Sequence, residues 1–140
     1  MKLTQTAEYA LRVMAILATL PRNQPVRARD LSEETGIPLH YLSKIMRRLV
    51  AAGLLHSRKG HGGGFVLARP LSNIYFSDVL KAVDYDTEPS TCVFGWEECS
   101  EDQPCPLHFF WRDLKDYFSK WAEQHTLEEV KQFLRHHKEG

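Results

Sequence analysis

Three cysteines and a histidine, Cys92, Cys99, Cys105 and His108, stand close together in the second half of this 140-residue chain. They include every cysteine of the protein, and the gaps between them are six, five and two residues. Thiolates are soft ligands that favour zinc, copper(I) and iron–sulfur clusters, while imidazole suits zinc and iron. Four such donors are enough for a tetrahedral zinc ion or a two-iron cluster. Zinc modules usually space their cysteines two to four residues apart, so gaps of six and five favour the broader cluster over zinc. A metal-free thiol redox site is a further alternative. Three cysteines cannot pair completely within one chain, which disfavours a disulfide framework. Residues 84–102 carry seven acidic residues and no basic one. A long irregular loop of this kind is functional or disordered, and the cysteines favour function.

The elements that must position this loop follow from periodicity. Thr4 is placed to cap a helix over 4–20, with Ala10, Val13, Met14, Leu17 and Leu20 on one stripe, and Pro21 ends it. Pro25 keeps the next segment extended. A short helix over 27–35 stops at Gly36. Pro38 then starts a second helix, which carries Leu42, Ile45, Met46 and Leu49 on one face and ends at Gly53. Two short helices joined by a tight glycine turn form a helix-turn-helix. The outward face of the second offers His40, Tyr41, Ser43, Lys44, Arg47 and Arg48. Strands over 54–57 and 65–67 enclose a basic, glycine-rich tip containing Arg58, Lys59 and His61, which makes a hairpin wing. A nucleotide-binding glycine loop would have to open a helix; here a strand follows, which excludes it.

Farther on, Ser77 is expected to cap a short helix over 78–83. A helix over 106–124 carries Leu107, Trp111, Leu114, Phe118 and Trp121 at alternating spacings of four and three, widened by Phe110 and Tyr117. That is a two-heptad seam for pairing with a second copy. Thr126 and Glu129 form a capping box for a last helix with Leu127, Val130, Phe133 and Leu134 on its apolar face. Its basic end, His136, His137 and Lys138, suits a helix C-terminus. The predicted fold is mainly α with a small β-hairpin wing. It divides into a winged helix-turn-helix domain (1–83), a cysteine-rich loop (84–105), and a dimerisation helix with a C-terminal helix (106–140).

Charge separates the two halves. Residues 1–69 hold eleven Lys/Arg against four Asp/Glu, a balance of +7, and residues 70–140 hold seven against fourteen, a balance of −7. A basic winged half is the electrostatic footprint of a nucleic-acid binder. Lys44, Arg47, Arg48, Arg58 and Lys59 are placed for phosphates, and Tyr41, Ser43 and Lys44 for base edges. No nucleophile–base spacing or cofactor loop indicates an enzyme, and no small-molecule substrate is expected. His56 and His125 are ordinary surface or core residues. No run approaches the eighteen apolar residues of a membrane span. With no signal-peptide pattern either, a cytoplasmic location is expected, where thiols stay reduced.

The helix-turn-helix, the wing from Arg58 through Gly60, Gly62, Gly63 and Gly64 to Phe65, and the cysteine loop occur in an order that resembles the IscR/NsrR (Rrf-two) family of bacterial winged-helix transcription regulators. The opening Met-Lys-Leu-Thr and Tyr9-Ala10 also fit, and the resemblance covers essentially the whole chain. It is closest to the IscR-type iron–sulfur regulators, through Cys105-Pro-Leu-His108 and the Phe-Trp-Arg-Asp-Leu after it. The resemblance implies a homodimer bound to a DNA operator, acting as a repressor of iron–sulfur assembly or stress genes. It also implies one [2Fe–2S] cluster per subunit, held by Cys92, Cys99, Cys105 and His108. The chain departs from the IscR pattern in a first cysteine gap one residue longer, and in Ser43, where an acidic residue helps IscR discriminate sites. NsrR-type relatives, which respond to nitric oxide, use three similarly placed cysteines for a [4Fe–4S] cluster. Some of them take a fourth ligand from an acidic residue of the partner's first helix, a part for which Glu8 is the alternative here. Cys105 and His108, three apart at a helix start, face one way, which ranks His108 first.

Overall fold

The structure is a computed structural model that describes residues 4–84, 94 and 100–139, without the side chains of 134–139. Cys92 and Cys99 lie outside the described residues, as do the side chains of Leu134, His136, His137 and Lys138.

Helix α1 (Gln5–Thr19) begins where Thr4 Oγ1 accepts the Ala7 N–H at 3.2 Å, and it buries Ala7, Ala10, Val13, Met14, Leu17 and Ala18. Helices α2 (Ala28–Thr35) and α3 (Leu39–Ala51) form the helix-turn-helix. Gly36 takes φ 77°, a conformation that costs an L side chain but not glycine, and Ile37 is buried at the elbow. Leu42, Ile45, Met46 and Leu49 turn the inner face of α3 into the core. Fully burying one such side chain contributes about 1.5–3 kcal/mol.

Strands β1 (Leu55–Arg58) and β2 (Gly64–Leu67) pair antiparallel, with Leu55 opposite Leu67 and Arg58 opposite Gly64. The strands thus sit within a residue of the expected positions. Val26 adds a bridge to Phe65: each N–H donates to the other's carbonyl, at 3.0 and 2.8 Å. The extended segment after Pro25 therefore adds a single bridge on the outer edge of β2, which roots the wing on the α1–α2 connection.

A 3-10 turn (Leu71–Asn73) leads into α4 (Phe76–Ala82). The helix starts earlier than expected, and Ser77 is not its cap. Asp78 accepts the Tyr75 N–H at 2.9 Å, and Ser77 lies buried within the first turn. Helix α5 (His108–Gln124) packs on α4, and α6 (Glu128–Glu139) packs on α1. The capping box at the start of α6 is present from its acidic side, as Glu129 accepts the Thr126 N–H at 2.9 Å. The joint between α5 and α6 is tied to the strand-like segment before α4. Phe76 N–H donates to His125 O at 3.0 Å, and Leu127 N–H to Ile74 O at 3.0 Å. Among the described residues no helix is long and apolar enough to cross a membrane.

The bridge from Val26 to the wing is testable. Gly64 has φ 147°, and a Cβ there would lie 2.7 Å from the Val26 carbonyl. Gly64→Ala should cost about 1–3 kcal/mol of stability, read as a lowered denaturation midpoint. A variant as stable as wild type would contradict the Val26–Phe65 pairing.

Candidate nucleic-acid interface and sensor site

The DNA-facing candidates separate into two groups. His40, Lys44 and Arg47 are exposed on α3, and Arg58, Lys59 and His61 are exposed on the wing. Four of these, Lys44, Arg47, Arg58 and Lys59, are cationic side chains. Tyr41, Ser43 and Arg48 are placed differently. The Tyr41 hydroxyl bonds Thr6 Oγ1, and its ring meets Tyr9 edge-on at 5.7 Å, so this side chain fastens the recognition helix to the start of α1. Ser43 is half-buried. Arg48 is exposed, but its Nη1 lies 3.5 Å from the carbonyl of Val83, the C-terminal cap of α4. That puts it where α3 meets the start of the cysteine loop. Arg69 makes a second bridge. It donates to Gly53 O at 3.4 Å, just after α3, and to Asn73 O at 3.3 Å, and it pairs with Asp78 at 3.6 Å.

Of the four expected sulfur and nitrogen ligands, Cys105 and His108 are described. They share one turn at the root of α5, where the His108 N–H donates to Cys105 O at 3.1 Å. Pro106 begins the turn and the first full helical bond, Trp111 N–H to Leu107 O, follows at 2.8 Å. Cys105 is half-buried, and the His108 side chain is 14% exposed. Trp111, on the same side one turn on, has a buried indole Nε1, and no described residue accepts its proton. Among the described residues no three metal-ligating side chains converge. Glu8 sits on α1 in an exposed pair with Arg12 at 3.0 Å.

Two residues that the sequence analysis passed over join the site. Glu101 Oε1 lies 2.8 Å from Arg112 Nη1 and 3.4 Å from His108 Nε2. Arg112, then His108, hold the Glu101 carboxyl below the usual carboxylate range. Glu101 and Asp113 in turn raise the Arg112 guanidinium above its ordinary value. The available signal was spacing: Arg112 is four residues after His108, hence on the same helical face.

The apolar stripe of α5 splits into two faces. Phe118 packs against the chain's own core, with Ala122 and the stem of Lys115 buried alongside. Leu107, Phe110 and Trp121 remain 42%, 68% and 39% exposed, together with Phe109 and Tyr117. Trp111 and Leu114 are half-buried between the two faces. At its far end Trp121 stacks between Phe76 (5.0 Å) and His125 (4.6 Å), which fixes the helix to α4.

Comparison with known proteins agrees with this architecture. A family model named Rrf2 and described as an iron-dependent transcriptional regulator matches residues 3–132. The HTH-type transcriptional regulator IscR of Xenorhabdus nematophila is 35% identical over 130 residues, which is 93% of this chain and 79% of that protein. IscR of Photorhabdus laumondii is 36% identical over the same shares. Among solved structures, CymR, the global cysteine regulator of B. subtilis, superposes with a TM-score of 0.79 at 23% identity, covering 95% of this chain and 98% of that one. T. potens IscR superposes with a TM-score of 0.74 at 22% identity, covering 96% and 88%. These relatives are regulators of transcription, not enzymes. With its winged helix-turn-helix and its basic recognition helix, this chain belongs to the Rrf2 family and is a DNA-binding transcriptional regulator.

Proposed function

We propose that this regulator senses iron–sulfur status: a cytoplasmic homodimer, acting as a repressor, whose operator affinity follows a [2Fe–2S] cluster on each subunit. The observation that carries this is the turn at the start of α5, where Cys105 and a largely buried His108 lie one turn before a buried Trp111 indole N–H that no described residue accepts. A buried donor without an acceptor is costly, and thiolate and sulfide are acceptors suited to it. The donor set fits the group, with thiolates from Cys92, Cys99 and Cys105 and an imidazole from His108. The curated relatives named IscR support the same reading. When bound, the cluster supplies a redox-variable charge and a tie among these four side chains.

The chain's own residues do the rest. Residues 1–83 read DNA, with Lys44, Arg47, Arg58 and Lys59 on phosphates and Ser43 and Lys44 nearest base edges. His40 and His61 flank them, while Tyr41 and Arg48 set the recognition helix against α1 and Val83. Residues 84–105 carry the three thiolate ligands, and His108, at the start of α5, supplies the fourth. Residues 106–140 pair two copies through Leu107, Phe110, Trp111, Leu114 and Trp121, with Phe118 bracing that face from behind. Because 84–105 joins the winged domain to the pairing helix, the way it is held sets the separation of the two recognition helices. Half-sites one helical turn apart, roughly 34 Å, tolerate little error in that separation.

Three outcomes follow. Lys44→Ala with Arg47→Ala should weaken binding to every DNA. It should also flatten the plot of log affinity against log salt by about 0.9 for each phosphate no longer neutralised; an unchanged slope would place the interface elsewhere. Phe110→Glu, at a position 68% exposed, should leave the fold intact and shift sedimentation from dimer to monomer. A dimer as stable as wild type would remove α5 from the interface. His108→Ala, purified without oxygen, should lose iron and sulfide, whereas Glu8→Ala should retain both. The reverse pattern would favour a [4Fe–4S] centre with Glu8 as fourth ligand, and zinc in place of iron would favour a structural site.

A further inference from the structure

His108 presents one edge of its ring to the turn that precedes it. Nε2 lies 3.4 Å from Glu101 Oε1 and is shielded from solvent. Glu101 stands on a turn closed twice by its neighbours. The Gln103 N–H donates to Ser100 Oγ at 3.1 Å, and the Ser100 N–H to Gln103 O at 3.2 Å. The same carboxylate oxygen accepts Arg112 Nη1 at 2.8 Å. Arg112 is held in turn. Its Nε and Nη2 donate to Asp113 Oδ1 at 3.3 and 3.2 Å, and its guanidinium lies 5.1 Å from the centre of the Phe109 ring. Phe109 meets the His108 ring edge-on at 4.9 Å. Among the described residues, Glu101 faces the imidazole Nε2 and Phe109 meets the ring edge-on, and Arg112, paired with Asp113, contacts both.

That choice of nitrogen has a chemical consequence. A neutral imidazole carries one proton, and a carboxylate can only accept. A carboxylate kept against Nε2 places the proton there and leaves the lone pair on Nδ1. Metal-bound histidines almost always donate their second ring N–H in this way, which fixes the tautomer and makes the coordinating nitrogen more basic. At 3.4 Å the contact is longer than a well-formed N–H···O bond, and the Glu101 oxygen that makes it also accepts Arg112 Nη1 at 2.8 Å. We propose that Glu101 is the positioning residue of His108: it holds the ring in its Nε2–H tautomer, so that Nδ1 is the nitrogen offered to the metal centre, and Arg112 holds Glu101 in place. This rests on His108 being a ligand of the cluster.

Two measurements test it. In the cluster-free chain, long-range proton–nitrogen NMR at alkaline pH, with His108 assigned from a His108→Gln variant, reads the tautomer directly. The wild type should be Nε2–H, and Glu101→Ala should shift the ring toward a mixture. In the loaded chain, Glu101→Ala should raise the reduction potential, because a less basic imidazole stabilises the oxidised centre less. Asp102→Asn, which removes an equal charge from the next residue, should leave the tautomer unchanged and move the potential less. In a His108→Cys background the extra effect of Glu101→Ala should vanish. A tautomer indifferent to Glu101, or a potential shift matched by Asp102→Asn, overturns this inference alone. A wild-type chain that binds no iron and sulfide under anaerobic reconstitution overturns the sensor reading and this inference with it.

Discussion

Two backbone hydrogen bonds tie the segment that opens α4 to the joint between the last two helices, from Phe76 N–H to His125 O and from Leu127 N–H to Ile74 O, each 3.0 Å. They are a short piece of ladder between the segment that opens α4 and the joint of α5 with α6. Each by itself contributes only about 0.5–1.5 kcal/mol. Their value is directional. They fix the C-terminal end of the long helix on the winged core, and the Phe76–Trp121–His125 stack packs beside them. The helix is thus fastened to α4 near its C-terminal end while Leu107, Phe109, Phe110, Tyr117 and Trp121 along it stay exposed. The His125–Glu129 contact at 2.8 Å, which holds the Glu129 carboxyl below its usual range, strengthens the same joint.

The other end of that helix is where the proposed ligands lie. Cys105 and His108 occupy the turn from which α5 starts, and Val83, at the end of α4, is touched by Arg48 of the recognition helix. The segment between them is therefore bounded on one side by the Val83 contact with the recognition helix and on the other by the start of α5. The charge split adds an orienting field. A winged half at +7 is drawn to a polyanion while a second half at −7 is repelled, so encounters favour the productive face before any specific contact forms.

Local signals in the sequence identified most of the elements. Thr4 and Glu129 mark helix starts because a short polar side chain can satisfy only nearby backbone donors. Gly36 marks the elbow because its positive φ excludes most side chains, and the leucine spacing of α3 gives its buried face. What escaped was non-local or ambiguous. The Val26–Phe65 bridge joins residues far apart in the chain and has no local signature. Ser77 looked like a cap, but Asp78, reaching back to Tyr75, does that work. Phe118 fits a heptad seam and a core-facing stripe equally well, since both repeat every three to four residues. At the site, the clustering of Cys105 and His108 was legible from spacing. Glu101 was not, because its approach to His108 depends on the turn built by Ser100 and Gln103.

The central claim is that metal occupancy of this loop is read out as affinity for DNA. Its most direct measurement is operator binding by one anaerobic preparation before and after the cluster is removed by chelation, at fixed salt on a selected operator. The loaded dimer and the stripped dimer should differ by tenfold or more, about 1.4 kcal/mol, and reconstitution should restore the loaded value. Equal affinities, with the loaded chain verified to contain iron and sulfide, would contradict the claim.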